Sequence, residues 1–511
     1  MNNQSFSKVW VLIICIILIA GGILAYQYWR VPKEGVKVPE AIKPPEEPIV
    51  EEVPFNLTTT KLATIPENYE IVEGPIVSPD GRKVAYVAEK EGKQFVFIGD
   101  KKSEKAYDEV FGLKFSPDGK HYAYGGSRDR KEFIIFDGKE IETSPIYEPP
   151  PQIPYYLNPE GVIFSPDGKH FAYMIRKNNG ICVALDDKEG KIYDYIPRYS
   201  LTFSPDSKQL GYIAGKNDKQ FIVVNEKEGK TYDLAVVDLL FSPDSRLIAY
   251  KVGHAMSKEF VVFNNKDGKV YDFVRNLIFS PDSKHLAYIA AYEIGAYDSL
   301  FFAVHNGEES KPYDFITMIE FSPDSKRLAF IVQEGGKSFL AINGEENKPY
   351  EIVAGILFSS DSNRIVYVAG TLEEEFYVID RREEKSYTEV GNFVFSPDSK
   401  KFAYVAVNEK ESKEIIVVNS KEERIYKYTF EHLDWPIYNP YPFITLDFSP
   451  DSQYLAYKGR KDGKRFIGVN DKEGELYDYV ADPVFSPDSK HIAYGARLDN
   501  ELWWIVDEVK E

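Results

Sequence analysis

Cysteine is nearly absent from this 511-residue chain, which holds only Cys15 and Cys182. Cys15 lies in an apolar run and Cys182 in a segment of strand character, so no disulfide is expected between them. Cysteine usage therefore does not report the redox compartment. A basic surplus is also lacking: 62 Lys and Arg stand against 81 Asp and Glu, a net charge of −19. Grip on a phosphate backbone rests on clustered cations, so no nucleic-acid partner is expected. Recognisable catalytic motifs are missing too. The chain has no Gly-x-Ser-x-Gly elbow, no phosphate-binding glycine loop, no kinase motif set and no Ser-x-Asp-x-Gly-x-Thr-Trp box. With 81 acidic residues, carboxylate pairs suited to glycoside chemistry arise by chance. A polysaccharide- or peptide-processing enzyme of the cell envelope is therefore kept as the competing reading. What the chain does have is 43% apolar and 14% aromatic residues, enough to bury a large core.

Long hydrophobic runs are confined to the N-terminus. Val9 to Tyr26 carries no charge and is dominated by Ile, Leu and Val. Such a run reaches the lower end of the membrane-spanning range. Trp10 and Trp29 would stand about 28 Å apart on a helix, near the depth at which interfacial tryptophans sit. The expectation is a short tail over 1–8, a transmembrane signal anchor over 9–29 and a Pro/Glu-rich stalk over 30–66. The alternative is a cleaved signal peptide, with Ala20-Gly21-Gly22 or Ile23-Leu24-Ala25 as the cleavage site. A lipoprotein is disfavoured, because Leu12-Ile13-Ile14 puts no small residue before Cys15. Lys8 precedes the span, whereas Arg30, Lys33 and Lys37 follow it, so the positive-inside count opposes export. The short tail, single span and long stalk favour it. The expected place is a single-pass membrane protein with its large domain outside the cytoplasm, periplasmic or at the cell surface. The stalk reads "VPKEGVKVPEAIKPPEEPIVEEVP", a Pro-rich, semi-rigid spacer.

Beyond the stalk one phrase dominates. Ser-Pro-Asp, or a near copy, places an aspartate at 80, 118, 167, 206, 244, 282, 324, 361, 398, 451 and 488. Eight of the ten intervals run from 37 to 42 residues, and the other two are 49 and 53. A period near 40 is the mark of a repeat architecture. In each copy an apolar strand ends in Phe, and Ser-Pro-Asp-Ser/Gly turns the chain, with Pro fixing φ. A strand such as "KHLAY" follows, then a polar loop, a third strand such as Phe221 to Asn225, an "EKEG" turn and a fourth strand carrying Tyr. Four antiparallel strands per 40 residues describe a propeller blade.

The Phe-Ser-Pro-Asp-Gly/Ser-Lys…Ala-Tyr phrase resembles the TolB-type, WD-like β-propeller repeat over residues 67–511. The resemblance implies an all-β propeller and often an extracytoplasmic place. It supplies no activity, since one fold hosts many functions. Relatives of this type include periplasmic proteins, propellers that gate serine peptidases and sensor propellers on membrane kinases. This chain departs from TolB in having eleven repeats and no separate globular N-terminal domain.

Fourth-strand tyrosines fall at 107, 147, 193, 232, 271, 313, 350, 387, 426 and 477, with none after "LWWIVDEVKE". Tyr69 precedes Asp80 by 11 residues, as Tyr477 precedes Asp488. The first strand after the stalk is therefore expected to complete the last blade and to leave no open edge. Eleven blades fit one wide ring with two inserted loops, or a seven-bladed ring of blades 3–9 nested with a four-bladed ring.

The candidate sites follow from strand order. The repeated aspartates belong to different blades and read as turn acceptors. His121, His170, His285 and His491 share one repeat position and do not converge as metal ligands. Asp186–Gly190 and Asn265–Gly268 resemble calcium loops faintly and turns strongly. No cofactor and no metal is expected. The longest connections, 148–160, 290–299 and 428–445, fall on one face and are rich in aromatics. Tyr155, Tyr156, Tyr292, Tyr297, Trp435, Tyr438 and Tyr441 are the candidate ligand-binding residues, because exposed aromatics furnish binding hot spots. The alternative is that these loops plug the channel. The expected function is an anchored, non-catalytic binding or scaffold module for a protein, peptide or glycan.

Overall fold

The computed structural model describes residues 59–145, 162–427 and 445–509, apart from Asp80, Asn178, Arg198, residues 254–257 and 296–297, and Asp462. Its strands form eleven antiparallel sheets, one per repeat. In blade 7 the strands are Phe315–Phe321, Leu328–Glu334, Lys337–Ile342 and Glu345–Glu346, paired in sequence order. The other blades span 70–102, 109–145, 162–193, 202–228, 236–271, 273–309, 352–383, 389–427, 445–473 and 479–508. They are numbered 1 to 11 in chain order. Middle strands are buried on both sides. Leu328 to Val332 is buried at every position, because each sheet is sandwiched between its two neighbours. This explains why the second strands read as apolar runs rather than as alternating patterns.

Each apolar cluster joins two consecutive blades. Ile289 and Ala303 of blade 6 pack with Ile316, Phe330 and Val332 of blade 7. The fourth-strand tyrosine fills the same seam: Tyr313 meets Phe330 and Phe339 edge-on, at 6.0 and 6.2 Å. First strands of neighbouring blades pack on one another, so they are the inner strands of the ring. The seams that a nested arrangement would break are continuous. Phe136 of blade 2 stacks on Phe171 of blade 3 at 4.0 Å, and Tyr426 of blade 9 donates to the Tyr457 hydroxyl of blade 10 at 2.9 Å. The molecule is one eleven-bladed ring.

The ring closes through Thr60–Thr64, which pairs antiparallel with Glu501–Glu508 of blade 11. That strand lies upstream of residue 67, where the propeller was expected to begin, so part of the expected stalk belongs to the fold. The Pro/Glu-rich composition marks the spacer but not its end, because a five-residue edge strand has too little apolar pattern to stand out. Tyr69 follows the strand and packs edge-on against Phe95 and Phe97 of blade 1. The expected span 9–29 and the stalk up to residue 58 lie outside the described residues. Among the described residues no helix is long and apolar enough to cross a membrane.

The repeated phrase builds more than a turn. In blade 7 the Ser322 hydroxyl donates to Asp324 Oδ1 at 2.6 Å, and Lys326 N–H donates to the same oxygen at 3.2 Å. The residue after Asp is left-handed: Ser283, Ser325 and Ser399 have φ of 62, 63 and 62°. This costs a non-glycine residue roughly 1 kcal/mol or more. The serine offsets that cost across the seam, because its hydroxyl accepts the Asp N–H of the preceding blade. Asp244 N–H reaches Ser283 Oγ at 2.9 Å, and Asp282 N–H reaches Ser325 Oγ at 2.9 Å. The link recurs at each of the eight seams from 3/4 to 10/11. Blades 1, 2 and 3 carry Gly81, Gly119 and Gly168 instead. At two of these a side chain would collide: a Cβ on Gly81 would lie 2.7 Å from the Trp504 ring, and one on Gly168 would lie 2.8 Å from Asp118 N. Ser283→Ala keeps the strained φ and loses the bond, so it should lower stability by about 1–2 kcal/mol. Ser283→Gly loses the bond and relieves the strain, so its effect should be under about 0.5 kcal/mol. Urea titration of both variants checks the order.

Candidate functional site

The strand order assigns two faces. Turns within the first and third hairpins lie on one side, the turn face. Second-hairpin turns and the connections between blades lie on the other, the loop face. Most polar residues that catch the eye in the sequence hold seams together. A Lys and Tyr two residues apart close on a carboxylate of the next blade. Tyr193 donates to Glu228 at 3.2 Å beside Lys191, and Tyr387 donates to Glu422 at 2.9 Å beside Lys385. The Asp after the tyrosine caps the next blade's second hairpin: Asp194 accepts Asn217 N–H and Asp314 accepts Gly335 N–H, both at 2.8 Å. A Gln or Glu at the start of the third strand accepts from the next inner strand, as Gln220 does from Val236 N–H at 3.0 Å.

His121, His170 and His285 are hydrogen-bonded within their own blades. His121 Nδ1 lies 2.6 Å from Asp137, His170 Nδ1 2.9 Å from Asp186, and His285 Nδ1 2.8 Å from Asn306. Asp186 and Asp187 form a hairpin turn and are held by His170 and Lys139. Among the described residues no group of three or more His, Cys, Asp or Glu is arranged around one point for a metal ion.

Of the seven candidate aromatics, only Tyr292 lies among the described residues. It is half-buried at the 5/6 seam, 5.2 Å from the Tyr271 ring and 5.7 Å from the Phe302 ring. Its hydroxyl donates to Glu309 at 3.4 Å, and Lys269 lies over its ring. It packs a seam rather than standing free. Tyr155, Tyr156, Tyr297, Trp435, Tyr438 and Tyr441 lie outside the described residues. Their segments leave and re-enter the fold on the loop face. The first joins Pro145 to Val162, the second Glu293 to Ser299 and the third Lys427 to Thr445.

The described residues add apolar side chains to that same face. Tyr195 and Tyr199, between blades 3 and 4, are 50% and 63% exposed. Leu234 and Phe273 emerge at or beside other inter-blade connections, and Ile294, Leu372 and Leu498 at second hairpins; Val72 lies within the first strand of blade 1, and Val484, 54% exposed, stands apart beside the Ser-Pro-Asp turn of blade 11. Ile192, Val270, Ile425 and Leu476 edge the outer rim beside it. The turn face is lined by Lys, Asp, Asn and Glu, as in Lys284 and Lys326. Periodicity did not expose this asymmetry, because these residues sit between the repeated phrases, one or two per blade.

Buried acids form the other unusual feature. Burial pushes the Glu320 carboxyl, on the inner strand of blade 7, up to about 7. Burial, then repulsion from Glu375, Glu409 and Glu414, pushes Glu389 up to about 8. Glu375 is raised by burial while it accepts Val390 N–H at 3.3 Å. The turn aspartates go the other way. The Ser359 hydroxyl bond leads the causes that hold Asp361 down at about 2, against a smaller burial effect.

No protein-family model matches this chain, and no curated protein matches it. Solved structures do. One, described as the crystal structure of the eukaryotic initiation factor, aligns at a TM-score of 0.38 and 14% identity over 75% of this chain and 97% of its own. Another, the structure of Dos1 propeller, aligns at 0.30 and 11% identity over 67% and 91%. At these identities the likeness concerns the fold alone.

The carboxyl shifts set opposite pH limits. Asp361 titrates near ~4 when unfolded, so its contribution is full above that pH and lost as pH falls through about 2. Glu320 and Glu389 titrate near ~4.3 when unfolded, so stability is full below that pH and lost as pH rises through about 7 and 8. The melting temperature should therefore peak on the acidic side of neutrality. Glu320→Gln with Glu389→Gln should flatten the decline between pH 5 and 8, as read from melting curves across that range.

Proposed function

We propose that the chain is a membrane-anchored, extracytoplasmic binding or scaffold module of the TolB-like propeller type. On this reading its loop face takes a protein, peptide or glycan. One observation carries it: most exposed large apolar side chains collect on the loop face and its rim, while the turn face is polar apart from Val484 beside the turn of blade 11. Exposed aromatics such as Tyr195 and Tyr199 are the material of binding hot spots. Tyr155, Tyr156, Tyr297, Trp435, Tyr438 and Tyr441 belong to connections of the same face, and prolines around Tyr155 and Trp435 would reduce the entropy lost on binding. The closing strand runs from the turn face to the loop face, so the chain enters at the turn face. With residues 9–29 as the anchor, the apolar face then looks away from the point of attachment.

The competing reading, an envelope polysaccharide- or peptide-processing enzyme, draws on the raised carboxyls of Glu375 and Glu389, because a protonated carboxyl is the form a general acid needs. Against it, Glu375 already accepts a backbone N–H of the neighbouring blade, which is a seam role.

Two experiments test the proposal. Trp435→Ala with Tyr438→Ala should weaken capture of an envelope partner by about 2 kcal/mol or more while the melting temperature stays nearly unchanged. Stability loss with capture intact in the folded fraction would instead identify the loop as a plug. For the anchor, the full chain should sediment with membranes, and protease added outside intact cells should remove the propeller. Full-length protein in the soluble fraction would refute the anchor, and protection until lysis would reverse the orientation.

A further inference from the structure

Ten of the eleven seams join blades that follow one another directly in the chain. The eleventh, between blades 11 and 1, is made by the segment 60–77 and differs chemically from the rest. Three substitutions coincide there. Gly81 stands where eight blades place the linking serine. Lys102 stands where Glu228, Glu346 and Glu422 accept from the preceding blade, at the second residue of the short fourth strand. Glu67 stands two residues before Tyr69, where seams such as 3/4, 6/7 and 8/9 place Lys191, Lys311 and Lys385, and only seam 10/11 shares a glutamate, Glu475.

What remains there is the apolar packing and cation–π contact that other seams also have, without their carboxylate and serine bonds. The Trp504 ring covers Gly81. Ala63, Ile65, Tyr86, Phe97 and Leu502 form the cluster beneath. Lys90 and Lys102 lie 5.3 and 5.7 Å from the centre of the Tyr69 ring, and Lys102 Nζ donates to its hydroxyl at 3.2 Å. The strand itself is five residues long and shifts register between Lys61 and Ala63. Its side-chain ties are the Lys61–Glu501 pair at 2.6 Å, both partners about 40% exposed, and Thr64 N–H to Asp100 at 2.9 Å. Exposed pairs of this kind contribute little, and apolar contacts are not directional. Beyond the short ladder to Glu501–Trp504 and Ile65 N–H to Asn500 at 2.8 Å, parting and reseating this seam involves few directional bonds.

We propose that the 11/1 seam is the opening point of the ring. Residues 60–65 release from blade 11 as a clasp and open the closed ring to an eleven-bladed arc, while Glu70–Val77 stays paired in blade 1 and the serine links from blade 3 to blade 11 stay made. The opening exposes the Glu501–Trp504 edge and gives side access to the channel. This inference does not depend on the identity of any ligand.

Hydrogen exchange read by mass spectrometry on the full chain tests it. Amides in 60–65 and 501–504 should exchange at least about tenfold faster than the matching third- and fourth-strand amides of blades 4 to 8. Equal protection at all seams, or exchange of 60–65 only with global unfolding, overturns the proposal. The double variant Glu67→Lys with Lys102→Glu restores the pairing used at the other seams and should slow exchange at 60–65 toward theirs. A variant that melts at or above the native temperature yet exchanges there as fast as the native chain also overturns it. Should the variant not fold, the comparison among seams in the native chain still decides.

Discussion

The ring depends on a serine hydroxyl in a left-handed turn. Within its own blade the Ser-Pro-Asp-Ser phrase needs only a residue that tolerates positive φ, and glycine would do so at less cost. Serine is present in eight blades because its hydroxyl meets the Asp N–H of the blade before it. A local strain is thereby converted into an inter-blade bond, repeated at the inner edge where first strands crowd together. Lys-Tyr pairs closing on a carboxylate repeat the device at the outer edge, and Asp caps repeat it on the loop face. Many identical seams of modest strength suit a quasi-one-dimensional repeat protein, in which each unit contacts only its neighbours.

This economy shapes the charge pattern. Many of the acidic residues that could suggest catalysis or metal binding are acceptors for a neighbouring blade, and His121, His170 and His285 bond within their own blades. Glu320 and Glu389 are exceptions, since burial keeps their carboxyls near neutral form. The polar inventory is largely spent on closure, and most of the exposed apolar side chains left over lie on the loop face and its rim. The reading as a binding module rests on that division of labour.

Much of the fold was legible in the sequence. The Ser-Pro-Asp spacing set the blade count, and the Phe and Ala-Tyr positions set the strands. The spacing of Tyr69 and Asp80 pointed to closure by an N-terminal strand. The exact closing strand was not legible, because Thr60–Thr64 is short and has only Leu62 and Ala63 as an apolar signal. The choice between one ring and two was likewise open, since the insertions before blades 3 and 10 suit a crossover as well as a loop. Contacts such as Phe136 on Phe171 decide it. Of the candidate aromatics, Tyr292 shows why loop membership does not establish exposure: it begins as a loop residue by pattern and ends packed in a seam.

The sequence by itself determined the repeat, the strand order within each blade and hence which connections share a face, because these follow from local turn chemistry recurring at a period near 40 residues. Only the tertiary structure decided which serines, tyrosines and carboxylates meet. Their partners lie 15 to 54 residues away in the next blade, and no local pattern encodes that distance. The Ser/Gly alternation was visible as letters, but its meaning depends on what stands across the seam: a backbone N–H at Ser283, and the Trp504 ring at Gly81.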